Sequence, residues 1–237
     1  MASGLTYQNI LHDAAIRVSA LVGSDKAGIT ASYDTSPLTA ANFKSADWPF
    51  NSFRDAILMA VAEFAEAIAD TPGHPWRAFL RGQSSVLFNR ATLPTVSDTG
   101  RDVIGVLGTV FDPSDGVPLL EQPIDVVRQY NLEANLAQWR QHRLYLYNID
   151  GIRIEHTRPL GVRIECCHFS RSIESNAFTN GSPPLPGTLQ AGILSRVVSL
   201  LTKDGSWESQ AGIYRTYSND ALAAIRAGRT QMPEMAT

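Results

Sequence analysis

Apolar positions recur at helical spacing along the first stretch of chain. Ile10, Leu11, Ala14, Ala15, Val18, Leu21 and Val22 share one face, with Thr6 placed to cap the helix and Gly23 to close it. From Ser24 to Asn51 no period is sustained and Pro37 and Pro49 interrupt, which predicts a long loop. Long ordered loops are usually functional or bound to something. A second helix follows, with Asn51 or Ser52 as its cap and Asp55 expected in its first turn, where the helix dipole favours a carboxylate. Its apolar stripe is Phe53, Ile57, Ala60, Val61, Phe64, Ala65 and Ile68, and Thr71-Pro72-Gly73 ends it. The opposite face carries Glu63, Glu66 and Asp70, an acidic surface.

From about Trp76 the period changes to two. Val86-Leu87-Phe88, Val103 to Phe111, Arg143 to Ile149 and Val162 to Phe169 read as strands. Asp150-Gly151 separates two alternating runs, and that dipeptide suits a type I′ turn, so a hairpin is expected there. Gly105 and Gly108 interrupt an apolar strand, where glycine tends to mark a bulge. A short helix with Pro123 in its first turn, and Val126, Val127 and Tyr130 on one side, breaks the strand-rich block. The Pro/Gly/Ser-rich segment 180–187 marks a boundary. Helical spacing then returns in Leu189, Ile193, Val197, Leu200 and Leu201, ended by Gly205. A last helix, capped by Ser206, carries Trp207, Ala211, Tyr214, Tyr217, Ala221 and Ile225 and ends at Gly228.

The order predicts an α+β protein. Residues 1–75, with the loop 24–51, and residues 173–228 each supply a helix pair to a four-helix bundle. Residues 76–172 form a large antiparallel β insertion, and residues 229–237 form an extended tail. A chain of 237 residues can bury a core without disulfides. Its charged fraction of 18% lies below the ~25% of an average domain, while 44% of its residues are hydrophobic, which excludes a disordered tail. The net charge is −3, and no segment is markedly basic, so a nucleic-acid grip is not expected. All basic residues except Lys26, Lys44 and Lys203 are arginine, which suits bidentate contacts but also follows from GC-rich coding. No apolar run reaches the ~18 residues of a membrane span, and no signal-peptide pattern is visible at the start.

Candidate chemistry is sparse. His156, Cys166, Cys167 and His168 are the most metal-like cluster, but adjacent strand residues point to opposite faces, so one cysteine at most can join His168. Buried core residues are the expectation, with no metal and no cofactor. Gly82-Gln83-Ser84-Ser85 lacks the second glycine of a nucleophile elbow, and no phosphate-cradling loop occurs. Asp112-Pro113-Ser114-Asp115-Gly116 is turn chemistry. The chain is therefore not expected to be an enzyme. Arginine and aromatic residues interleave around Trp76, Arg77 and Arg81 and around Trp139, Arg140 and Arg143. That composition suits single-strand stacking or a protein–protein rim, and the negative overall charge favours the rim.

The layout resembles the head-to-tail adaptor (neck or connector) proteins of tailed bacteriophages. The resemblance rests on the order of several local features. They are the opening Tyr7-Gln8-Asn9-Ile10-Leu11-His12-Asp13-Ala14, Phe53-Arg54-Asp55-Ala56-Ile57-Leu58 followed by Gly73-His74-Pro75-Trp76-Arg77, and the Asp150-Gly151 hairpin running into His156-Thr157-Arg158-Pro159 and Ile164-Glu165-Cys166. The closing Tyr214, Tyr217 and Ala221 to Gly228 complete the series. The resemblance implies a virion structural protein forming a ring, usually a dodecamer, below the portal. Such a ring extends the channel through which duplex DNA passes and docks the next tail or nozzle protein. It also implies a C-terminal segment lying along the portal, here Arg229, Met232, Pro233 and Met235. The large β block departs from small adaptors. Glu63, Glu66 and Asp70 are the expected channel-facing residues, since a surface that passes DNA without gripping it should not be basic. The rival expectations are another tail or baseplate subunit and a Cys- or metal-dependent enzyme. The expected location is the virion, after assembly in the host cytoplasm.

Overall fold

The structure, a computed structural model, describes residues 5–22, 39–41, 43, 48–86, 90–92, 97–99, 101–123, 125–127, 144–147, 153–156, 161–169, 181–202 and 208–234. It mixes helices with mainly antiparallel sheet, an α+β composition. The chain divides into two compact units, one of Met1–Phe79 with Ser170–Thr237 and one of Leu80–Phe169.

The first unit contains α1 (Tyr7–Val22), α2 (Phe50–Ala69), α3 (Gln190–Leu201) and α4 (Glu208–Arg226). Helix α3 contacts each of the other three. Its sequence accounts for that position, because Gly192, Ile193, Leu194, Ser195, Val197, Val198 and Ser199 are all buried, and a helix apolar on most sides belongs inside. Gly192 is the point of closest approach. A Cβ there would lie 3.0 Å from the Phe64 ring on α2 and 3.2 Å from Ala221 Cβ on α4. Polar contacts fix the remaining pairs. Gln190 Nε2 donates to Asp13 Oδ2 at 3.0 Å, and Arg17 lies over the Tyr214 ring at 5.8 Å. Trp48 Nε1 donates to the Leu201 carbonyl at 3.1 Å, and Phe43 packs edge-on against Phe53.

The helix ends show where local signals held. Thr6 Oγ1 accepts from the Asn9 N–H at 3.0 Å, as an N-cap should. Gly228, at φ 73°, ends α4 in a Schellman motif, its N–H donating to the Ile225 carbonyl and the Arg229 N–H to the Ala224 carbonyl. Helix α2 differs from expectation. Pro49 is its cap, so Asn51 and Ser52 are already helical and Asp55 lies beyond the first turn. No side chain caps this end; Pro49 is extended at φ −62° and ψ 155°, and its carbonyl accepts the Ser52 N–H at 2.9 Å.

The second unit holds two sheets. β1 (Arg81–Val86), β7 (Val162–Phe169) and β3 (Asp102–Phe111) form an antiparallel sheet with β7 central. β2 (Arg90–Thr92), β6 (Arg153–His156), β5 (Leu144–Tyr147) and β4 (Leu120–Glu121) form the other, with β4 parallel to β5. Tyr145 pairs with His156 and Tyr147 with Ile154, a register centred on Asp150-Gly151, which themselves lie outside the described residues. Irregularities in β3 fall between Val103 and Gly105 and between Val106 and Val110, the first ending at Gly105 and the second spanning Gly108. Strand β7 is buried on one face throughout and on the other from Cys167 onward, where Cys167 and Phe169 are enclosed and Arg163 is not. Residues 75–80 depart from the expected strand period: Pro75–Leu80 is a 3-10 helix, and the strand starts at Arg81. Of the short helix expected after Pro123, residues 125–127 are helical, with the Val127 N–H donating to the Pro123 carbonyl.

Candidate functional site

The residues expected at an interface divide sharply. Trp139, Arg140, Arg143 and Met235 lie outside the described residues. Trp76 is 8% exposed and belongs to the core of its unit, against the expectation of a surface anchor. The cause is the turn after α2. His74, itself buried, accepts the Trp76 N–H on Nδ1 at 3.1 Å, and the two rings lie 5.0 Å apart. With Nδ1 accepting, the ring hydrogen sits on Nε2, which donates to the Arg229 carbonyl at 3.2 Å. His74 therefore joins the end of α2 to the first residue after the α4 cap. Arg77 is half-buried, whereas Phe79 is 50% exposed. Beyond Arg229, Met232 and Pro233 are half-exposed and Thr230, Gln231 and Glu234 exposed.

Arg81 is exposed but already paired on β1, donating from Nε to Glu165 Oε1 on β7 at 3.1 Å. That partner raises the Arg81 pKa further, so its charge is permanent. A guanidinium engaged in this way offers less to an outside carboxylate.

The acidic face of α2 is also less free than the sequence suggests. Glu63 accepts two hydrogen bonds from Arg196 on α3, at 2.6 and 2.9 Å, in a bidentate pair. Asp70 is the exposed C-cap of α2, and Glu66 is half-buried, with its carbonyl accepting the Asp70 N–H. The nominal triad thus comprises one internal ion pair, one half-buried carboxylate and one exposed one. Nothing in the α2 sequence alone reveals Arg196, which lies 133 positions away.

On β7 both cysteines are buried thiols, neither in a disulfide. Burial, then Cys167, Asp98 and Glu165, push the Cys166 thiol up to about 11, which makes it a poor nucleophile. His168 shares a face with Cys166, but its Nδ1 contacts Ser97 Oγ at 3.0 Å and Thr99 Oγ1 at 3.4 Å. Burial, followed by Arg101, lowers its pKa from the usual histidine value. Among the described residues no three of His, Cys, Asp and Glu are placed to share a metal ion. Ser97, Asp98 and Thr99 were not marked by any sequence motif; short polar residues after a strand read simply as a turn.

Large apolar side chains remain open on several elements. Ile16 on α1, Met59 on α2 and Ile213 on α4 are 53%, 54% and 44% exposed. In the other unit, Val117 and Leu120 beside β4 are exposed as well. No helix among the described residues is long and apolar enough to cross a membrane. No family model matches the chain, and no curated protein matches it significantly.

Proposed function

We propose that the chain is a virion structural protein, a head-to-tail adaptor of tailed bacteriophages. In this reading it forms a ring below the portal, a dodecamer as in the family it resembles. The ring extends the DNA channel and docks the next tail or nozzle protein. The observation that carries the reading is the chain order within the first unit. Helices from both ends of the sequence pack on one another around α3, while Leu80–Phe169 forms a compact unit of its own. We read the helical unit as the four-helix bundle of an adaptor and the second unit as its insertion. Apolar side chains left open on three different helices support a protein that meets neighbours on more than one side. The segment from Arg229, launched from a fixed cap and held by His74, serves as the portal-facing tail. Glu66 and Asp70 face the channel in this proposal, with Glu63 neutralised by Arg196.

Purified chain, alone and mixed with the portal protein of the same phage, tests the proposal. Light scattering and negative-stain images should show rings, or a complex with portal assemblies. A monomer that never joins a portal, yet binds a tail or baseplate component, would move the assignment to that class of virion protein.

A further inference from the structure

Exposed strand edges invite pairing with another chain, and proteins blunt them with short strands, bulges or charges. Among the described residues of the second unit, β1, β2, β3 and β4 lie at sheet edges. Strands β2 and β4 are only three and two residues long. Strand β3 is broken by two register irregularities, and its far end is bridged from Phe111 to Pro118. Strand β1 has none of these protections. All six of its residues pair with β7 in unbroken register.

In an antiparallel ladder, alternate residues turn both backbone groups to the same side. On β1 the outward set contains Gln83 and Ser85, because Asp98 meets both. The Asp98 N–H donates to the Gln83 carbonyl at 2.9 Å, and Asp98 Oδ1 accepts the Ser85 N–H at 2.9 Å. Oδ2 also accepts from Ser85 Oγ at 3.1 Å. A donor and an acceptor flanking Ser84 are what one residue of a parallel neighbour would supply, with the carboxylate here in place of its carbonyl. The chain then turns back instead of running on beside β1. The Ser97 N–H donates to the Arg101 carbonyl, and the Arg101 N–H to Ser97 Oγ. Ser97 Oγ also lies 3.0 Å from His168 Nδ1, which ties the turn to the central strand β7.

We propose that Asp98 guards the β1 edge against β1 of a second copy of this chain. The strand's own side chains offer little resistance to that pairing. In an antiparallel pair centred on Gln83, Arg81 of one copy would face Ser85 of the other, so no like charges meet. Arg81 is moreover matched by Glu165 within its own chain. The side chains of Arg81, Gln83 and Ser85 share an exposed face, so pairing would bury none of them against an apolar surface. What stands in the way is the single residue that already holds the Gln83 carbonyl and the Ser85 N–H. The guard is independent of the ring assignment, since it concerns a contact that the wild-type chain does not make.

Asp98 is exposed, so replacing it leaves the core untouched. Asp98→Ala removes the acceptor, and Asp98→Asn keeps an oxygen in its place. Light scattering after size exclusion, at two concentrations tenfold apart, should give Asp98→Ala a larger mass than wild type at the higher one. An intermolecular β-sheet band in the infrared should accompany it. Asp98→Asn should match wild type. Ser85→Pro deletes an outward N–H and spares the β7 ladder, so adding it to Asp98→Ala should restore the wild-type mass. Asp98→Ala with the wild-type mass at both concentrations would overturn the proposal. So would association that Ser85→Pro leaves intact, or that Asp98→Asn shares in full. Amide exchange gives a second reading. The Ser85 N–H should exchange about tenfold faster in dilute Asp98→Ala than in wild type. If Asp98→Ala does not fold, the wild-type protein decides: slow exchange at Ser85 is expected, and exchange at the free-chain rate overturns the guard.

Discussion

Gly192 and Gly212 invite the same substitution with opposite results. Both are helical, in α3 and α4, and replacing an interior glycine by alanine ordinarily stabilises a helix by about 1 kcal/mol. At Gly212 nothing lies within 4 Å of the new Cβ, so that gain should appear in full. At Gly192 the Cβ would meet Phe64 Cζ at 3.0 Å, Cε1 at 3.1 Å and Ala221 Cβ at 3.2 Å. Carbon atoms prefer about 3.5–4.0 Å, so relief requires several tenths of an ångström from two neighbours. Neither can yield easily. Phe64 and Ala221 are fully buried on different helices, and an alanine methyl has no other rotamer. Overpacking of this kind costs about 1–3 kcal/mol, and the upper half applies where two helices must separate. Gly192→Ala should therefore destabilise by about 1–2 kcal/mol net, while Gly212→Ala stabilises by about 1. Guanidinium titrations followed at 222 nm report the helical signal and separate the two. Adding Phe64→Leu to Gly192→Ala should recover about 1 kcal/mol as a favourable coupling. A Gly192→Ala protein as stable as Gly212→Ala would refute the idea that α3 is held at contact distance by both neighbours.

Other substitutions probe single interactions. Ser195 Oγ is buried on α3 without a hydrogen-bond partner, so Ser195→Ala should stabilise by about 1 kcal/mol in the same titration. Gly82→Ala should destabilise by about 2–3 kcal/mol, because the Cβ would fall within the His168 ring's contact distance; thermal melting reads the loss. The Cys166 thiol, pushed up to about 11, should resist iodoacetamide at pH 8 in native protein and react at the ordinary rate in denaturant. A double-mutant cycle on Glu63→Gln and Arg196→Gln should give a coupling of about 1 kcal/mol that shrinks in high salt, as fits a partly exposed bidentate pair.

Much of the helical part was legible because its signals are local. The apolar stripes of α1 and α2, the Thr6 cap and the Gly228 stop all act within a few residues, and each appears in the structure. Strand β7 was equally plain, since Val162, Ile164 and Cys166 alternate with Arg163 and Glu165. Strand β1 was not, because Arg81-Gly82-Gln83-Ser84-Ser85-Val86 has no hydrophobic alternation. Among the described residues it is an edge strand whose pairing is specified by β7 and whose outer groups at Gln83 and Ser85 are filled by Asp98. Neither partner lies in the segment itself: Asp98 is 13 positions from Ser85, and Glu165 of β7 is 84 positions from Arg81. The surroundings of the candidate site residues were hidden for the same reason. Whether a Trp or Glu is free depends on its neighbours in space: Trp76 is buried beside His74, and Glu63 is bound to Arg196.

That dependence changes where an interface should be sought. Arginine–aromatic interleaving pointed to Trp76 and Arg81, yet one is enclosed and the other already paired within the chain. Binding energy concentrates in side chains that lose solvent on association. Arg81 keeps an exposed side chain but would have to share its guanidinium with Glu165, and Trp76 has little surface left to lose. Ile16, Met59 and Ile213 have more, since each exposes about half of its surface on a different helix around an enclosed α3. A ring subunit touches its neighbours through two dissimilar surfaces, so apolar residues on separate helices suit it better than a single patch would. The low charge of the chain fits the same view. Surface destined for contact gains from few charges, because each would have to be desolvated or matched. On the proposed function, therefore, the subunit contacts lie on the outer faces of α1, α2 and α4, while Trp76 acts within the fold.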